Sequence, residues 1–257
     1  MKIRFEQTSK DFGDLPVIDD FDSTITPGEV VALVGPSGCG KSTLLHLAAG
    51  LELPTGGKVY ADEQTIDRPH PSRTLVFQEH ALYPWLTLTD NVALALEFQK
   101  VKRDEARQQA LQWLDKVQLK DFASYYPHQV SGGMRQRASL ARAFIARPQV
   151  LLLDEPFGAL DALTRMTLQD VLRDLIREVH PTVLLVTHDV DEALFLADRV
   201  LVFSSRPARV LKEIHLAHLP KTHDLSAYTY ERREVLSLLG IDAEQPDAKS
   251  GTGGMFI

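Results

Sequence analysis

Two features of the sequence predict an α/β fold with a largely parallel sheet. Short runs rich in β-branched residues alternate with longer segments in which apolar residues recur every three or four positions, the pattern of parallel strands joined by helices. Of the 257 residues, 44% are apolar and 25% are charged, as in an average soluble globular protein. This composition excludes disordered, collagen-like and coiled-coil chains, and the length suffices for one large domain or two small ones.

Charge and cysteine content indicate which partners and which cellular compartment to expect. The formal net charge is −7, whereas broad nucleic-acid binding normally needs a basic surface. Cys39 is the single cysteine, so no internal disulfide can form and a reducing compartment is indicated. No apolar run approaches the roughly 20 residues that cross a bilayer, and the N-terminus lacks the apolar segment of a secretory signal. A cytoplasmic protein without a membrane span is expected.

The first central strand is predicted at residues 29–34, followed by a glycine-rich loop and a helix. The loop matches the phosphate-binding pattern GxxxxGK followed by Ser or Thr, in the strand–loop–helix context that the pattern requires. Its glycines let backbone N–H groups converge on phosphate oxygens, Lys41 neutralises the β and γ phosphates, and the Ser42 hydroxyl can bind Mg²⁺. The predicted nucleotide-binding residues here are Gly35, Pro36, Ser37, Gly38, Cys39, Gly40, Lys41, Ser42 and Thr43.

A helical segment is predicted between the strand at residues 74–77 and residue 148. Apolar residues at helical spacing indicate two helices there: Ala106, Ala110, Leu114 and Val117 in one, and Met134, Ala138, Ala141 and Ile145 in the other. The residues Ser131, Gly132, Gly133 and Met134 open the second helix. Their backbone N–H groups offer a second place suited to bind phosphate.

Two carboxylates follow the fully apolar strand predicted at residues 150–153. The carboxyl end of a parallel strand is where open α/β sheets bind ligands. Asp154 is suited to hold Mg²⁺, and Glu155 is suited to orient and deprotonate the water that attacks a γ-phosphate.

The sheet is completed by strands predicted at residues 182–186 and 199–203. Between residues 168 and 179 one helix face is apolar, and Pro181 ends that helix. Residues 209–214 are predicted to form the second arm of a hairpin at the sheet edge. After residue 220 the pattern weakens, and residues 249–254 have the composition of a flexible tail.

Six motifs in order resemble the nucleotide-binding subunits of ABC transporters through about residue 214. They are the phosphate loop, Gln78, the Ser131–Gly133 signature, the Asp154–Glu155 pair, the Ala159-Leu160-Asp161 segment and His188. The resemblance implies a P-loop NTPase core with a mostly parallel sheet, an N-terminal antiparallel β subdomain and an inserted helical subdomain. It places the ATPase domain at residues 1–219, with the core at 1–78 and 148–219 and the helical subdomain at 79–147, and leaves residues 220–257 as a C-terminal extension.

The same resemblance implies roles for individual residues. Two subunits close head to tail on two ATP molecules, each bound by one subunit's phosphate loop and the other's signature. Met134 departs from the glutamine that usually ends the signature. Cys39, beside Lys41 at a helix N-terminus, is either a reactive thiol or a small packing residue. The implied roles are adenine stacking for Phe12, nucleotide contact for Val17, Mg²⁺ binding for Ser42, Gln78 and Asp154, cross-dimer communication for Asp161, and contact with the γ-phosphate for His188.

A group of apolar residues surrounds Pro84, in the segment that joins the core to the helical segment: Leu82, Tyr83, Trp85 and Leu86. These residues either pack within the helical segment or form an interface, since exposed aromatic residues commonly mark interfaces. The resemblance implies that a permease helix docks here. It favours the nitrate, sulfonate and taurine importer group, with an extracytoplasmic solute-binding protein, a location on the cytoplasmic membrane face, and no role for nucleic acid. The alternative is a soluble, scaffold-associated ABC ATPase of the iron–sulfur assembly type.

Overall fold

The computed structural model describes residues 1–77, 81–158 and 160–241. The strands are β1 Ile3–Phe12, β2 Leu15–Ile25, β3 Val30–Val34, β4 Gly56–Ala61, β5 Gln64–Thr65, β6 Arg73–Val76, β7 Val150–Asp154, β8 Thr182–Thr187, β9 Arg199–Phe203 and β10 Val210–His215. The helices are α1 Lys41–Ala49, α2 Leu88–Phe98, α3 Arg103–Lys116, α4 Gly132–Ile145, α5 Ala162–Val179, α6 Val190–Leu196 and α7 Thr229–Leu238. None of these helices is long and apolar enough to cross a membrane.

The central sheet has six strands in the order β10-β9-β3-β8-β7-β6. All neighbours are parallel except β10, which pairs antiparallel with β9 at the edge. The parallel sheet and the edge hairpin confirm the predicted fold class. Because β3 lies beside β8, and β8 beside β7, the carboxyl ends of these three strands meet at one edge of the sheet.

Both faces of the sheet are covered, so its central strands are buried throughout. Along β3, Val30, Ala32 and Val34 pack into one apolar cluster with the helices, whereas Val31 and Leu33 pack into a second cluster on the other side. This alternation follows from the two-residue period of a strand. The second cluster includes residues of α1 and of an antiparallel sheet with the order β2-β1-β4-β5, which confirms the expected N-terminal β subdomain.

Helices α2, α3 and α4 lie between β6 and β7 in the chain, where the inserted helical subdomain was expected. Residues with helical spacing, such as Ala106, Leu114 and Ala138, are fully buried. Buried Asn91 in α2 accepts a hydrogen bond from the Tyr83 backbone N–H (2.8 Å) and donates to the Tyr83 carbonyl. This amide therefore holds the segment that enters the subdomain against α2.

Part of the C-terminal extension folds into helix α7. Helix α7 was not predicted, because its apolar face is short and its sequence is largely polar. Tyr228 and Val235 are nevertheless fully buried in the same apolar cluster as the sheet and the helical subdomain. The residues predicted to form a flexible tail, 249–254, lie outside the described residues.

Candidate active site

The glycine-rich loop connects β3 to α1 as predicted. Gly38 and Gly40 have φ angles of +73° and +127°, a region that side chains with a Cβ rarely enter. A Cβ on Gly40 would also lie 3.0 Å from Val17. The loop therefore needs glycine at these two positions to reach the first turn of α1, which is an anion-binding helix N-terminus.

Lys41 begins α1, and its ammonium group lies inside the curve of the loop. Its Nζ donates hydrogen bonds to the carbonyl oxygens of Gly35 (2.8 Å) and Pro36 (2.9 Å). Both acceptors are neutral, so the positive charge is not cancelled by these contacts. Cys39 is buried, with its Sγ 3.9 Å from Lys41 Nζ, and it packs into the apolar cluster beneath the loop.

Ser42 and Asp154 meet where α1 starts and β7 ends. The Ser42 hydroxyl donates to Asp154 Oδ1 at 2.9 Å. Burial raises the pKa of Asp154, and the hydrogen bond from Ser42 opposes that rise. A hydroxyl and a carboxylate oxygen at this separation are the ligand types that Mg²⁺ prefers.

Glu155 follows Asp154 and has an uncommon backbone conformation. Its φ angle is +45°, and its backbone N–H donates to the Val186 carbonyl of β8 (2.9 Å). One carboxylate oxygen, Oε2, lies 3.2 Å from Nδ1 of His188. Non-glycine residues with positive φ concentrate at functional sites, where the surrounding structure holds them.

A cavity of about 340 Å³ opens beside the phosphate loop. Its wall brings together distant parts of the sequence, including Phe12 from β1, whose side chain is 47% exposed. Nine of the predicted site residues line the cavity: Phe12, Val17, Ser37, Gly38, Gly40, Lys41, Ser42, Thr43 and Glu155. The arrangement can hold a phosphate chain at the loop and an aromatic base against Phe12.

The signature residues lie elsewhere. Ser131 caps α4 by accepting the Met134 N–H at 3.3 Å, and the Met134 side chain packs against the apolar cluster of the helical subdomain. Among the described residues, Ser131, Gly132, Gly133 and Met134 are not part of the cavity wall. A single chain therefore does not bring the phosphate loop and the signature together.

Asp161 is the cap of α5. Its carboxylate accepts the Thr164 N–H at 3.0 Å, and the hydrogen bonds from Thr164 lower its pKa. The fully exposed group lies outside the cavity wall. Gln78 and Ala159 lie outside the described residues, so the role expected of Gln78 stays a prediction.

Reasoning from the sequence did not identify Arg206 as a site residue. Its guanidinium lines the cavity, and its Nε donates to the Gly38 carbonyl at 3.1 Å. No local pattern shows that the connection between β9 and β10 reaches the phosphate loop, because that contact depends on β9 lying beside β3.

Comparisons with known proteins agree with this geometry. The ABC transporter family model matches residues 18–158. The nitrate transport protein NasD of Klebsiella oxytoca is 44% identical over 237 residues, which cover 88% of this chain and 90% of NasD. The aliphatic sulfonates import ATP-binding protein SsuB of Bacillus cereus is 40% identical over 230 residues, covering 89% and 90% of the two chains.

A solved structure shows the same architecture. The dimeric structure of MJ0796, a bacterial ABC transporter cassette, superposes with a TM-score of 0.75 at 33% identity, covering 83% of this chain and 98% of that one. The same cassette has been solved in a post-hydrolysis state bound to ADP and Pi, with a TM-score of 0.73 at 32% identity. The phosphate loop, the carboxylates after β7, the family match and the shared architecture thus agree that this chain belongs to the ABC transporter family, as one of its nucleotide-binding ATPase cassettes.

Proposed function

We propose that this chain is the ATP-hydrolysing subunit of an importer for a small solute such as nitrate, a sulfonate or taurine. In this proposal two copies work as a head-to-tail pair beneath two permease subunits, at the cytoplasmic face of the membrane, and a separate extracytoplasmic protein delivers the solute. The observation that carries the proposal is an apolar groove between edge strand β6 of the central sheet and the helical subdomain. The import functions named for NasD and SsuB support it.

Binding of ATP is assigned to the cavity beside the phosphate loop. The N–H groups of the loop and the Lys41 ammonium would neutralise the phosphates, while Phe12 would stack on adenine and Val17 would contact the nucleotide. Ser42 and Asp154, together with Gln78, would hold Mg²⁺, which supplies charge neutralisation at the β and γ phosphates.

Hydrolysis is assigned to Glu155 and His188, whose side chains touch. Glu155 would accept a proton from the attacking water while orienting it toward the γ-phosphate. His188, from the loop after β8, would donate a hydrogen bond to that phosphate. The contact of 3.2 Å between the two side chains keeps base and phosphate ligand within one site.

Dimer formation would complete that site. The signature lies outside the cavity of its own chain and would contact the γ-phosphate of the ATP that the partner binds. It consists of Ser131, Gly132, Gly133 and Met134. Asp161, exposed at the start of α5, would contact the partner across the interface. A second copy is therefore needed because the phosphate loop and the signature of one chain are apart.

The apolar groove has the properties of a docking site for a short permease helix. It has a volume of about 540 Å³ and is lined by residues of β6, α2 and α4. Arg142 crosses it to donate a hydrogen bond to the Ala81 carbonyl at 2.9 Å, and burial lowers the pKa of this guanidinium. Tyr83 lines the groove, and its ring contacts that of Trp85, with centroids 5.4 Å apart. Phe98, 76% exposed, completes the apolar wall.

The catalytic assignment is tested by Glu155→Gln. This change keeps the shape of the side chain but removes the base, so the ATP hydrolysis rate should fall by roughly 100-fold or more. ATP binding should persist, and the variant should elute as a dimer with ATP and as a monomer without it. Hydrolysis at the wild-type rate would contradict the role of Glu155.

The docking assignment is tested by co-purification with multispanning membrane proteins from the source cells. Phe98→Asp places a charge on the groove wall and should abolish recovery of the complex, whereas ATP hydrolysis by the isolated subunit should stay unchanged. Tyr230→Asp is the matched control, because Tyr230 is 74% exposed on α7, which contributes no residue to the groove wall. Equal recovery of both variants would contradict the groove, and failure of the wild type to bind any permease would favour the scaffold-associated alternative.

A further inference from the structure

Arg165 bridges two loops of the active site. It lies in the first turn of α5, where its Nη1 donates to Asp189 Oδ2 at 2.8 Å and its Nη2 donates to the Leu160 carbonyl at 3.2 Å. Leu160 directly precedes Asp161, and Asp189 directly follows His188. One guanidinium thus holds the segments on which cross-dimer contact and γ-phosphate contact depend.

Asp189 is itself fixed from several directions. Its Oδ1 accepts the backbone N–H groups of Asp191 (3.0 Å) and Glu192 (3.2 Å) at the start of α6. Its own N–H donates to the Thr187 hydroxyl at 3.0 Å. The residue after His188 is therefore tied to the end of β8 and to α6, and its remaining oxygen is directed to Arg165.

Helix α4, which begins with the signature, approaches the first turn of α5, where Arg165 lies. A Cβ on Gly133 would lie 2.5 Å from the Thr164 methyl group and 3.9 Å from Leu160, so α4 approaches the first turn of α5 closely. The residues that flank Arg165 thus contact the signature on one side, while its guanidinium contacts the His188 loop on the other.

Stability alone does not account for this bridge. The side chains of Arg165 and Asp189 are 31% and 27% exposed, and ion pairs that water reaches contribute little to folding. The planar guanidinium, in contrast, offers several donors in a fixed geometry, so one side chain can bind two acceptors on different segments. A guanidinium can therefore hold two segments at a fixed position relative to each other.

We propose that Arg165 is a positioning residue of the ATPase cycle, which ties Leu160, the residue before Asp161, to Asp189, the residue after His188, so that the two segments move together. The proposal rests on the proposed hydrolysis of ATP between two subunits. When the Asp161 segment moves against the partner as the dimer closes, Arg165 and Asp189 transmit that movement to His188. The imidazole of His188 is the group that contacts the γ-phosphate.

The test compares Arg165→Gln with Arg165→Lys and with Arg177→Gln, a control at an exposed arginine near the other end of the same helix. Arg165→Gln should lower kcat by about 10- to 100-fold, because small misplacements of reacting groups cost rates of that order. The KM for ATP should change less than about twofold, since the cavity wall is untouched. Arg165→Lys has a single ammonium group in place of the planar guanidinium, so its kcat should lie between those of Arg165→Gln and wild type.

A double variant shows whether the loss passes through Asp189. Asp189→Asn keeps one oxygen for capping α6 but turns an amide group toward Arg165. It should lower kcat as Arg165→Gln does, and the double variant should be no slower than either single one, since both remove the same link. Additive losses would overturn the proposal.

The ring signals of His188 in an NMR spectrum, identified by their absence in His188→Gln, provide a readout independent of hydrolysis. They should shift in Arg165→Gln and not in Arg177→Gln. Unshifted signals, a wild-type kcat, or an unfolding midpoint that falls in step with activity would each overturn the role of Arg165. An inactive wild type would instead overturn the proposed function and this inference with it.

Discussion

The charged side chains of the active site differ in how the fold holds them. Lys41 is bound by two neutral carbonyls, so its full charge remains for an anion. Asp154 is bound by a neutral hydroxyl and is partly buried, a costly state for a carboxylate that a bound cation would relieve. Glu155 contacts His188. The charge of Lys41 is thus available to the phosphates of the proposed ATP, and the charge of Asp154 to the proposed metal ion.

Glu192, in the first turn of α6, is a different case because it is not part of the cavity wall beside the phosphate loop. It is 4% exposed, and burial, followed by repulsion from Asp189, raises its pKa to about 8, whereas Thr187 and Arg165 favour the charged form. Between the ordinary pKa of a glutamate and about 8, the folded chain holds a proton that the unfolded chain has released. The free energy of unfolding therefore falls as the pH rises through this window.

Glu192→Gln should remove this pH dependence, because an amide does not titrate. In urea unfolding at pH 5.5 and pH 8, wild type should lose more stability between the two conditions than the variant does. Glu105→Gln, at an exposed glutamate in α3, should keep the wild-type slope. If wild type and Glu192→Gln lose equal free energy of unfolding between the two pH values, Glu192 is ionised at both.

Helices α4 and α5 illustrate how contact between elements outweighs local preference. Gly133 lies inside a helix, where alanine would be favoured by about 1 kcal/mol. A Cβ there would nevertheless come within 2.5 Å of the Thr164 methyl group, closer than real contacts allow. The close approach of the two helices thus requires glycine, independently of any contact that its N–H makes with phosphate.

Gly133→Ala should accordingly slow ATP hydrolysis by displacing the signature from the first turn of α5. Thr164→Ser removes the obstructing methyl group, so the double variant should recover a large part of the lost rate. Steady-state kinetics of the two single variants and the double variant test this. A loss that Thr164→Ser does not relieve would indicate that Gly133 acts only through phosphate contact.

Across the chain, the packing of α7 bears on where the ATPase domain ends. The sequence-based boundary at residue 219 leaves α7 in an extension, yet Tyr228 is 0% exposed in the same cluster as the central sheet. Its hydroxyl donates to the Pro220 carbonyl and accepts the Thr222 N–H. Arg232 also pairs with Asp191 of α6 at 2.6 Å. Through these contacts, residues of the extension pack against the rest of the described chain.

Tyr228→Ala should therefore destabilise the chain by about 3–5 kcal/mol, the usual cost of removing a buried aromatic side chain. Tyr230→Ala, two residues later on the exposed side of α7, should change stability by less than about 0.5 kcal/mol. Denaturant unfolding of both variants measures the difference. Equal, small effects of the two variants would show that the packing of this segment contributes little to the stability of the ATPase domain.

Local sequence patterns were sufficient to predict much of the fold. The phosphate loop, the carboxylates after β7 and the helical insertion were all predicted, because each depends on residues close together in the chain. Helix α7 was missed since a short, largely polar helix has little apolar periodicity, and its burial depends on a surface that only the assembled core provides.

Which residues touch is set by sheet order and layer packing. The Ser42–Asp154 contact spans 112 positions and the Glu155–His188 contact spans 33; both exist because β8 lies between β3 and β7. The separation of the signature from the cavity and the bridge made by Arg165 likewise follow from how α4 and α5 pack. The sequence alone thus identified the chemical groups and their order, whereas folding determined their neighbours, because contacts across the chain depend on packing that local periodicity does not encode.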